Sequence, residues 1–253
     1  MLQLFVEKDV EFIMSDHSEY MMAQRMLGMA NCDTSSLCVL QCANCSRTSN
    51  PYDNPEQETK RIDRIRAGRP MPVEDFYKII DFFDNIIFCG QISDPVRHPK
   101  FKQLLDIMAL NPYKNFIIAT AAHQKNIEWY EDAFKRHGNN VTWTFGLDGL
   151  PDTSFLYRIK QNSQLIYDAM LLAAKLGKNV RWQFIVFDYN EHQIEEAKKI
   201  AKEHGITFML TISNRKQNGF ASPQKYKEKY LEPNKTGSAV RINTWAAKRE
   251  IKH

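Results

Sequence analysis

Hydrophobic and polar positions follow two alternating periods along most of the chain. From about Val73 onward, stretches with apolar residues three and four positions apart alternate with short apolar runs rich in β-branched and aromatic residues. The first pattern is typical of amphipathic helices and the second of buried strands, so their alternation predicts repeated βα units around a parallel sheet. The predicted helices are 74–84, 100–110, 126–137, 163–176 and 191–204. The predicted strands are 85–89, 115–120, 141–147, 180–187 and 207–212, with an earlier strand near 25–31.

Residues that begin and end helices support these boundaries. Asn190, with Gln193 three residues later, predicts a capping box at the start of the last helix. Three glycines each follow an apolar helical stretch, as a left-handed C-terminal cap would: Gly138, Gly177 and Gly205. Crossover helices between parallel strands bring the carboxyl ends of the strands to one face, so we expect a functional site on that face.

The length of 253 residues allows a single domain over 1–253. Its core is predicted at about 25–212, and 213–253 is predicted to be a C-terminal extension. Two polar stretches, 46–72 and the tail from about 214, interrupt the periodic pattern and are predicted to be loops or peripheral helices. The hydrophobic fraction of 43% and the charged fraction of 25% are those of an ordinary globular protein.

Charge and hydropathy exclude several classes of partner. The formal charge is +4 and the basic residues are spread along the chain, which makes a dedicated nucleic-acid binder an unfavoured class. No uninterrupted apolar run has the length of a membrane helix, and the acidic N-terminus does not have the layout of a signal peptide. We therefore predict a cytoplasmic protein without a membrane partner.

Three cysteines lie close together at Cys38, Cys42 and Cys45. This spacing allows three thiolates to hold one metal centre, and it leaves one coordination site open if that centre is an iron–sulfur cluster. A structural zinc site is the competing interpretation, with Cys32 as the fourth sulfur ligand. The zinc interpretation is less favoured because such sites usually use paired C-x2-C motifs.

The C-x3-C-x2-C motif after the first strand of a six-strand βα chain resembles the radical S-adenosylmethionine (radical SAM) superfamily. The resemblance covers residues of about 25–212 and implies an α/β fold, a partial (β/α)6 TIM-type barrel of parallel strands. It implies that Cys38, Cys42 and Cys45 hold a [4Fe-4S] cluster whose open iron is chelated by S-adenosylmethionine. No cysteine follows Cys89, so a C-terminal extension with further clusters is not expected.

The segment Phe88-Cys89-Gly90-Gln91-Ile92-Ser93-Asp94-Pro95 follows the second predicted strand. It is similar to the family segment that holds the ammonium group of the cofactor, which implies this role for Gly90, Ser93 and Asp94. An Asp-Pro pair also commonly begins a turn. Cys89 is a candidate hydrogen-atom donor, as in some related enzymes, or else a small buried strand residue.

A second station follows the fourth predicted strand, where Asp148-Gly149 is followed by Arg158. It is similar to a family segment whose arginine pairs with the carboxylate of the cofactor, which implies that role for Arg158. Asp148 could orient Arg158, contact ribose hydroxyls or shape the turn. Gly146 stands where the family often has serine, and Thr144, facing the same way, could supply the hydroxyl. On the fifth strand, alternation predicts that Arg181 and Gln183 point into the barrel.

The resemblance implies one-electron cleavage of S-adenosylmethionine to methionine and a 5′-deoxyadenosyl radical that abstracts hydrogen from a substrate. It also implies an external electron donor such as flavodoxin or ferredoxin. The sequence leaves the substrate open between a small metabolite and a peptide. The alternative from a different class is a non-catalytic zinc or iron–sulfur protein that acts in binding or sensing, with Cys32 as the additional ligand.

Overall fold

Six parallel strands lie side by side in the order in which they occur along the chain. They are β1 (Met29–Asn31), β2 (Asn85–Phe88), β3 (Asn115–Thr120), β4 (Val141–Gly146), β5 (Asn179–Val186) and β6 (Thr207–Ile212). The computed structural model describes residues 28–43, 45, 55–56, 69–88, 93–121 and 125–212, together with the backbone of 241–245. The predicted α/β fold with six parallel strands, the partial TIM-type barrel, is confirmed.

Five α-helices connect or follow these strands within the described residues. They are α1 (Val73–Phe82), α2 (Phe101–Ala109), α3 (Ile127–Lys135), α4 (Ser163–Lys175) and α5 (Ile194–Glu203). Each lies within three residues of its predicted bounds. Short 3-10 helices at Pro95–Arg97, Ser154–Leu156 and Glu191–Gln193 lie in the loops.

Local capping explains where several helices begin and end. The Asn126 side chain accepts a hydrogen bond from Trp129 N at the start of α3. Gly177 and Gly205 follow α4 and α5 with φ of 71° and 66°, so both act as the predicted left-handed caps. The same prediction for Gly138 was wrong, because its φ is not positive and α3 ends three residues earlier.

The capping box predicted at Asn190 is also wrong. Asn190 makes no side-chain cap bond and precedes a 3-10 helix, while α5 begins only at Ile194. Its Oδ1 accepts from Phe187 N at 2.8 Å, and its Nδ2 donates to Asp148 O at 2.8 Å and Ile185 O at 3.0 Å. The acceptor oxygen that an N-cap would use is therefore occupied by Phe187 N.

A seventh strand, β7 (Arg241–Trp245), corrects the prediction for the C-terminal extension. It pairs antiparallel with β6, with Phe208 opposite Trp245 and a register shift between Leu210 and Thr211. The extension was predicted to hold only loops or peripheral helices. Strand formation depends on the partner that a segment finds in the fold, and here the partner is the edge of the sheet at β6.

The core lies between the sheet and the helical layer. Trp143 and Phe145 of β4 are fully buried and pack with aromatic rings of α2 and α3: Phe101, Tyr130 and Phe134. Because side chains alternate across a strand, Thr144 and Gly146 lie on the opposite face of β4.

The same alternation holds on β5. Trp182 packs edge to face against Tyr167 of α4, and Phe184 packs against Phe208. Arg181 and Gln183 therefore lie on the other face, which is the barrel interior predicted from the sequence. No helix in the part of the chain described by the structure has the length and hydropathy to span a membrane.

Candidate cofactor site

The loop that carries the cysteines is joined to the loop after β2. Asp33 Oδ1 accepts two hydrogen bonds from Ser93, at 3.1 Å from its backbone N and 2.7 Å from its Oγ. Leu37 O accepts from Asp94 N at 2.9 Å. Ser93, a predicted cofactor ligand, thus binds the cysteine loop. The predicted site residues Cys89 and Gly90 lie outside the described residues.

The cysteine loop is also joined to the segment after β4. Gln41 N donates a hydrogen bond to Ile159 O at 3.0 Å, and Ala43 N donates one to Tyr157 O at 3.3 Å. The two segments run in opposite directions, and both hydrogen bonds are donated by the cysteine loop. Cys42 therefore lies opposite Arg158, so the pairing brings together two residues that the sequence placed in one site.

Cys38 and Cys45 both lie close enough to Cys42 to act on its thiol electrostatically. Burial raises the pKa of Cys42 to about 12; Arg158 lowers it, and Cys45 and Cys38 raise it further. Cys32, Cys38, Cys42 and Cys45 form no disulfide. Among the described residues, no three His, Cys, Asp or Glu side chains converge on a point where one metal ion could bind. Three thiols beside a cation are nevertheless the donor set that suits a cluster in which each thiolate binds a separate iron.

Asp94 is a buried carboxylate with three protein donors. Its Oδ1 accepts from Thr120 Oγ1 at 2.8 Å and Val96 N at 3.2 Å, and its Oδ2 accepts from Ala121 N at 2.8 Å. Thr120 is also hydrogen-bonded to Tyr130, which is fully buried. Asp94 itself is 4% exposed. Asp94 thus joins the loop after β2 to the carboxyl end of β3 and caps the Pro95–Arg97 helix.

Arg158 forms an ion pair with Asp148 inside the protein. Arg158 Nε lies 2.8 Å from Asp148 Oδ2, and its Nη2 donates to Oδ1 at 3.3 Å; the side chains are 13% and 0% exposed. Burial raises the pKa of Asp148, and the charge of Arg158 opposes that rise. Of the three roles open for Asp148, contact with Arg158 is the one present here.

Gly146 provides the space in which the guanidinium lies. A Cβ at this residue would lie 2.8 Å from both Cζ and Nη2 of Arg158 and 3.1 Å from Nη1. Any larger residue at this position, including the serine common in the family, would collide with the guanidinium. Thr144 is buried on the same face of β4, as the sequence predicted.

Asp148 is further fixed by its backbone and second oxygen. Its N–H donates to Ser154 Oγ at 3.0 Å, and its Oδ1 accepts from Ile185 N at 2.9 Å. Its carbonyl oxygen accepts from Asn190 Nδ2 at 2.8 Å and Tyr189 Oη at 3.3 Å. These bonds hold the carboxylate at the carboxyl ends of β4 and β5.

Gln161 is a residue of this site that the sequence interpretation did not include. Its Nε2 donates to Ala121 O at 2.8 Å and to Gly146 O at 3.0 Å, and its Oε1 accepts from Ser154 Oγ at 2.7 Å and Ser163 Oγ at 3.2 Å. The buried amide therefore uses its full hydrogen-bonding capacity. It fixes the segment that carries Arg158 to the ends of β3 and β4.

Three solved structures have this arrangement of strands and helices. SuiB of Streptococcus suis bound to S-adenosylmethionine has a TM-score of 0.57 at 15% identity, over 82% of this chain and 47% of that chain. SuiB bound to the precursor peptide SuiA has a TM-score of 0.55 at 16% identity, over 83% and 47%. A histidine-tagged form of anSMEcpe with bound AdoMet has a TM-score of 0.50 at 15% identity, over 72% and 49%.

The chain has the radical SAM fold. The fold implied by the cysteine motif is thereby confirmed. The radical SAM fold is shared over most of this chain, while the chain spans about half the length of the SuiB structures. No protein-family model matches the sequence, and no curated protein matches it.

Proposed function

We propose that this chain is a radical SAM enzyme in which Cys38, Cys42 and Cys45 hold a [4Fe-4S] cluster. The observation that carries the proposal is the pairing of Cys42 opposite Arg158, with the same loop hydrogen-bonded to Asp94. Three motifs far apart in the sequence, each assigned to one cofactor site by the resemblance, thus lie on one face. Bound there, the cluster would supply the electron for reductive cleavage of S-adenosylmethionine.

Arg158 is the proposed ligand of the cofactor carboxylate. Asp148 contacts Nε and Nη2, and Nη1 has no protein partner within the described ranges. A guanidinium remains charged when buried and suits a carboxylate geometrically. Asp148 would orient the group and balance its charge before the cofactor arrives, which lowers the cost of arranging the site on binding.

Asp94 is the proposed partner of the cofactor ammonium. Three hydrogen bonds from protein donors hold its carboxylate in one orientation. The backbone N–H of the same residue binds the cysteine loop. Asp94 would therefore place a negative charge at a fixed distance from the cysteines. Gly90, Ser93, Thr144 and Asp148 complete the proposed cofactor contacts.

The substrate is proposed to be a peptide or a small metabolite that enters from the carboxyl ends of the strands. SuiB, which has this fold, is known in a structure with its precursor peptide SuiA, and that favours a peptide. Flavodoxin or ferredoxin is the proposed electron donor, and the cytoplasm is the proposed location. Cys89 is proposed as a hydrogen-atom donor to the substrate radical.

Anaerobic loading with iron and sulfide, followed by reduction with S-adenosylmethionine, tests this proposal. We expect about four irons and four sulfides per chain and the release of 5′-deoxyadenosine. Triple replacement of Cys38, Cys42 and Cys45 by alanine should abolish both signals. A fully loaded, reduced chain that yields no 5′-deoxyadenosine with or without candidate peptides would refute the enzyme.

The zinc interpretation makes a different prediction for Cys32. Cys32 N donates to Ile87 O at 2.8 Å, and its side chain packs partly buried against the core. Under the cluster proposal, Cys32→Ala keeps its iron and sulfide, because Cys32 directly follows β1 and is not a ligand. Purification with one zinc per chain, lost in Cys32→Ala, would support the binding or sensing protein instead.

A further inference from the structure

Two cations lie over one tryptophan near the carboxyl ends of β2 and β3, and a third lies near them. The ammonium nitrogens of Lys102 and Lys125 lie 5.3 and 5.0 Å from the centre of the Trp129 ring. Arg97, at the end of the Pro95–Arg97 helix, is close enough to act electrostatically on Lys125. Arg97, Lys102 and Lys125 together form a basic cluster.

Asp94 brings two of these cations together. It caps the helix that ends with Arg97, and its Oδ2 accepts from the backbone of Ala121, four residues before Lys125. The Asp94 carboxylate therefore joins the two loops that carry Arg97 and Lys125. The basic cluster is linked to the proposed cofactor site through Asp94, and it lies where α2 and α3 begin, on the helix side of the sheet.

Among the described residues, the basic cluster and Arg136 carry four positive charges, and the neighbouring carboxylates are Asp94, Asp106 and Asp132. Lys102 pairs with Asp132 at 2.6 Å, and Arg136 pairs with Asp132 at 3.1 Å and with Asp106 at 3.0 Å, which leaves an excess of one positive charge. Arg97 and Lys125 have no carboxylate partner in the described part of the chain, and Arg97 Nε is buried without a hydrogen bond. Burial lowers the pKa of Lys125, and the charges of Arg97 and Lys102 lower it further.

Like charges held together without a counter-charge raise the free energy of the fold, and a bound anion would remove that cost. The guanidinium fork matches a carboxylate or a phosphate, and the two ammonium groups add point charges. We propose that the basic cluster is a subsite for a carboxylate or phosphate group of the substrate. The assignment to the substrate rests on the proposed function, whereas the binding of an anion does not.

Titration of the full chain, loaded with iron and sulfide, tests the subsite. Inorganic phosphate is the probe in one arm and succinate in the other, at constant ionic strength, with calorimetric detection. We expect saturable binding of at least one probe, and binding at least about a hundredfold weaker in Arg97→Gln/Lys125→Gln, because two charge-assisted bonds are lost. The arm with the tighter binding identifies the substrate group as phosphate or carboxylate.

The matched control is Lys199→Gln/Lys202→Gln, which removes the same charge from the exposed face of α5. It should bind the probes as the unaltered chain does. Arg97→Lys and Lys125→Arg keep the charge and should retain binding, which separates a binding defect from a folding defect. Unchanged binding in the double variant, or an equal loss in the control, would overturn the subsite. A chain that binds anions but takes up no iron would instead refute the proposed function alone.

Discussion

The guanidinium of Arg158 fills the space that a side chain on Gly146 would occupy. The glycine lacks the hydroxyl that the family often has at this position, and it also leaves space for the guanidinium. It allows Arg158, in its ion pair with Asp148, to lie against β4. The glycine at residue 146, where the family often has serine, is therefore what allows Arg158 to take its position.

Replacement of Gly146 by alanine should displace Arg158. The new Cβ would lie 2.8 Å from the guanidinium carbon, and overpacking of this kind costs about 1–3 kcal/mol. We expect that loss in the free energy of unfolding measured with urea. Under the proposed function, the dissociation constant of S-adenosylmethionine should also rise, by about tenfold.

Gly138→Ala is the control for this change. Its φ is not positive, and the nearest atom to its new Cβ would be Asn140 Oδ1 at an ordinary 3.5 Å. It should unfold at the same urea concentration as the unaltered chain. Equal stability of both alanine variants would show that Arg158 has room to move, and that Gly146 does not fix its position.

Asp148→Asn should destabilise the fold by about 3–5 kcal/mol, because it leaves the buried charge of Arg158 without its partner. Asn keeps the size of the side chain, so the effect reports the charge. Arg158→Met should be costly for the same reason, and the double variant should cost less than the sum of the two. Additive losses in a denaturant double-mutant cycle would contradict a coupled pair.

Gln161→Glu should disrupt the connection between the ends of β3 and β4. The glutamate would place an oxygen against two carbonyl oxygens that now accept hydrogen bonds at 2.8 and 3.0 Å. We expect a loss of about 2–3 kcal/mol in the free energy of unfolding. Gln103→Glu on the exposed side of α2 is the matched control and should be neutral. An unchanged free energy of unfolding in Gln161→Glu would mean that the segment carrying Arg158 is held by other contacts.

Because His137 is buried, we expect the free energy of unfolding to fall in mild acid. The residue is 5% exposed, its Nε2 accepts from Trp143 Nε1 at 2.8 Å, and burial lowers its pKa to about 4. The unfolded chain, with a pKa near 6.5, binds the proton more readily, so stability is full above pH ~6.5 and falls toward pH ~4. The contribution is at most about 3 kcal/mol.

Urea unfolding of the unaltered chain and His137→Gln between about pH 4.5 and 7.5 measures this contribution. Glutamine does not titrate, so the stability of the variant should depend less on pH. Burial also lowers the pKa of His98, and that residue remains in both proteins. Parallel pH dependences would assign the acid sensitivity to groups other than His137.

Local periodicity predicted the strands well because apolar and polar residues alternate along a strand as buried and exposed side chains do. The bounds of β3 and β6 agree with their predicted ranges. Asn190 illustrates the limit, since the oxygen that would cap the helix accepts instead from Phe187 N, and its Nδ2 donates to Asp148, which is distant in the sequence. The strand β7 depends likewise on a partner that the sequence does not name.

Some residues of the candidate site could likewise be predicted from the sequence, and others could not. The cysteines, Asp94, Asp148 and Arg158 carry recognisable spacing, so the resemblance could name them. Gln161 has no such signal, because a glutamine in a polar loop is ordinary until its four hydrogen bonds are known. The role of Gly146 lies in an absent side chain, which sequence spacing cannot reveal.

The two hydrogen bonds from Gln41 and Ala43 to residues 157–159 impose an order on biosynthesis. The cysteines leave the ribosome early, but their loop cannot take this conformation until residue 159 has been translated. At about 5–20 residues per second, that delay is on the order of ten seconds. Under the proposed function, the thiols are therefore exposed before their loop takes this conformation, and delivery of iron and sulfide would follow the translation of residue 159.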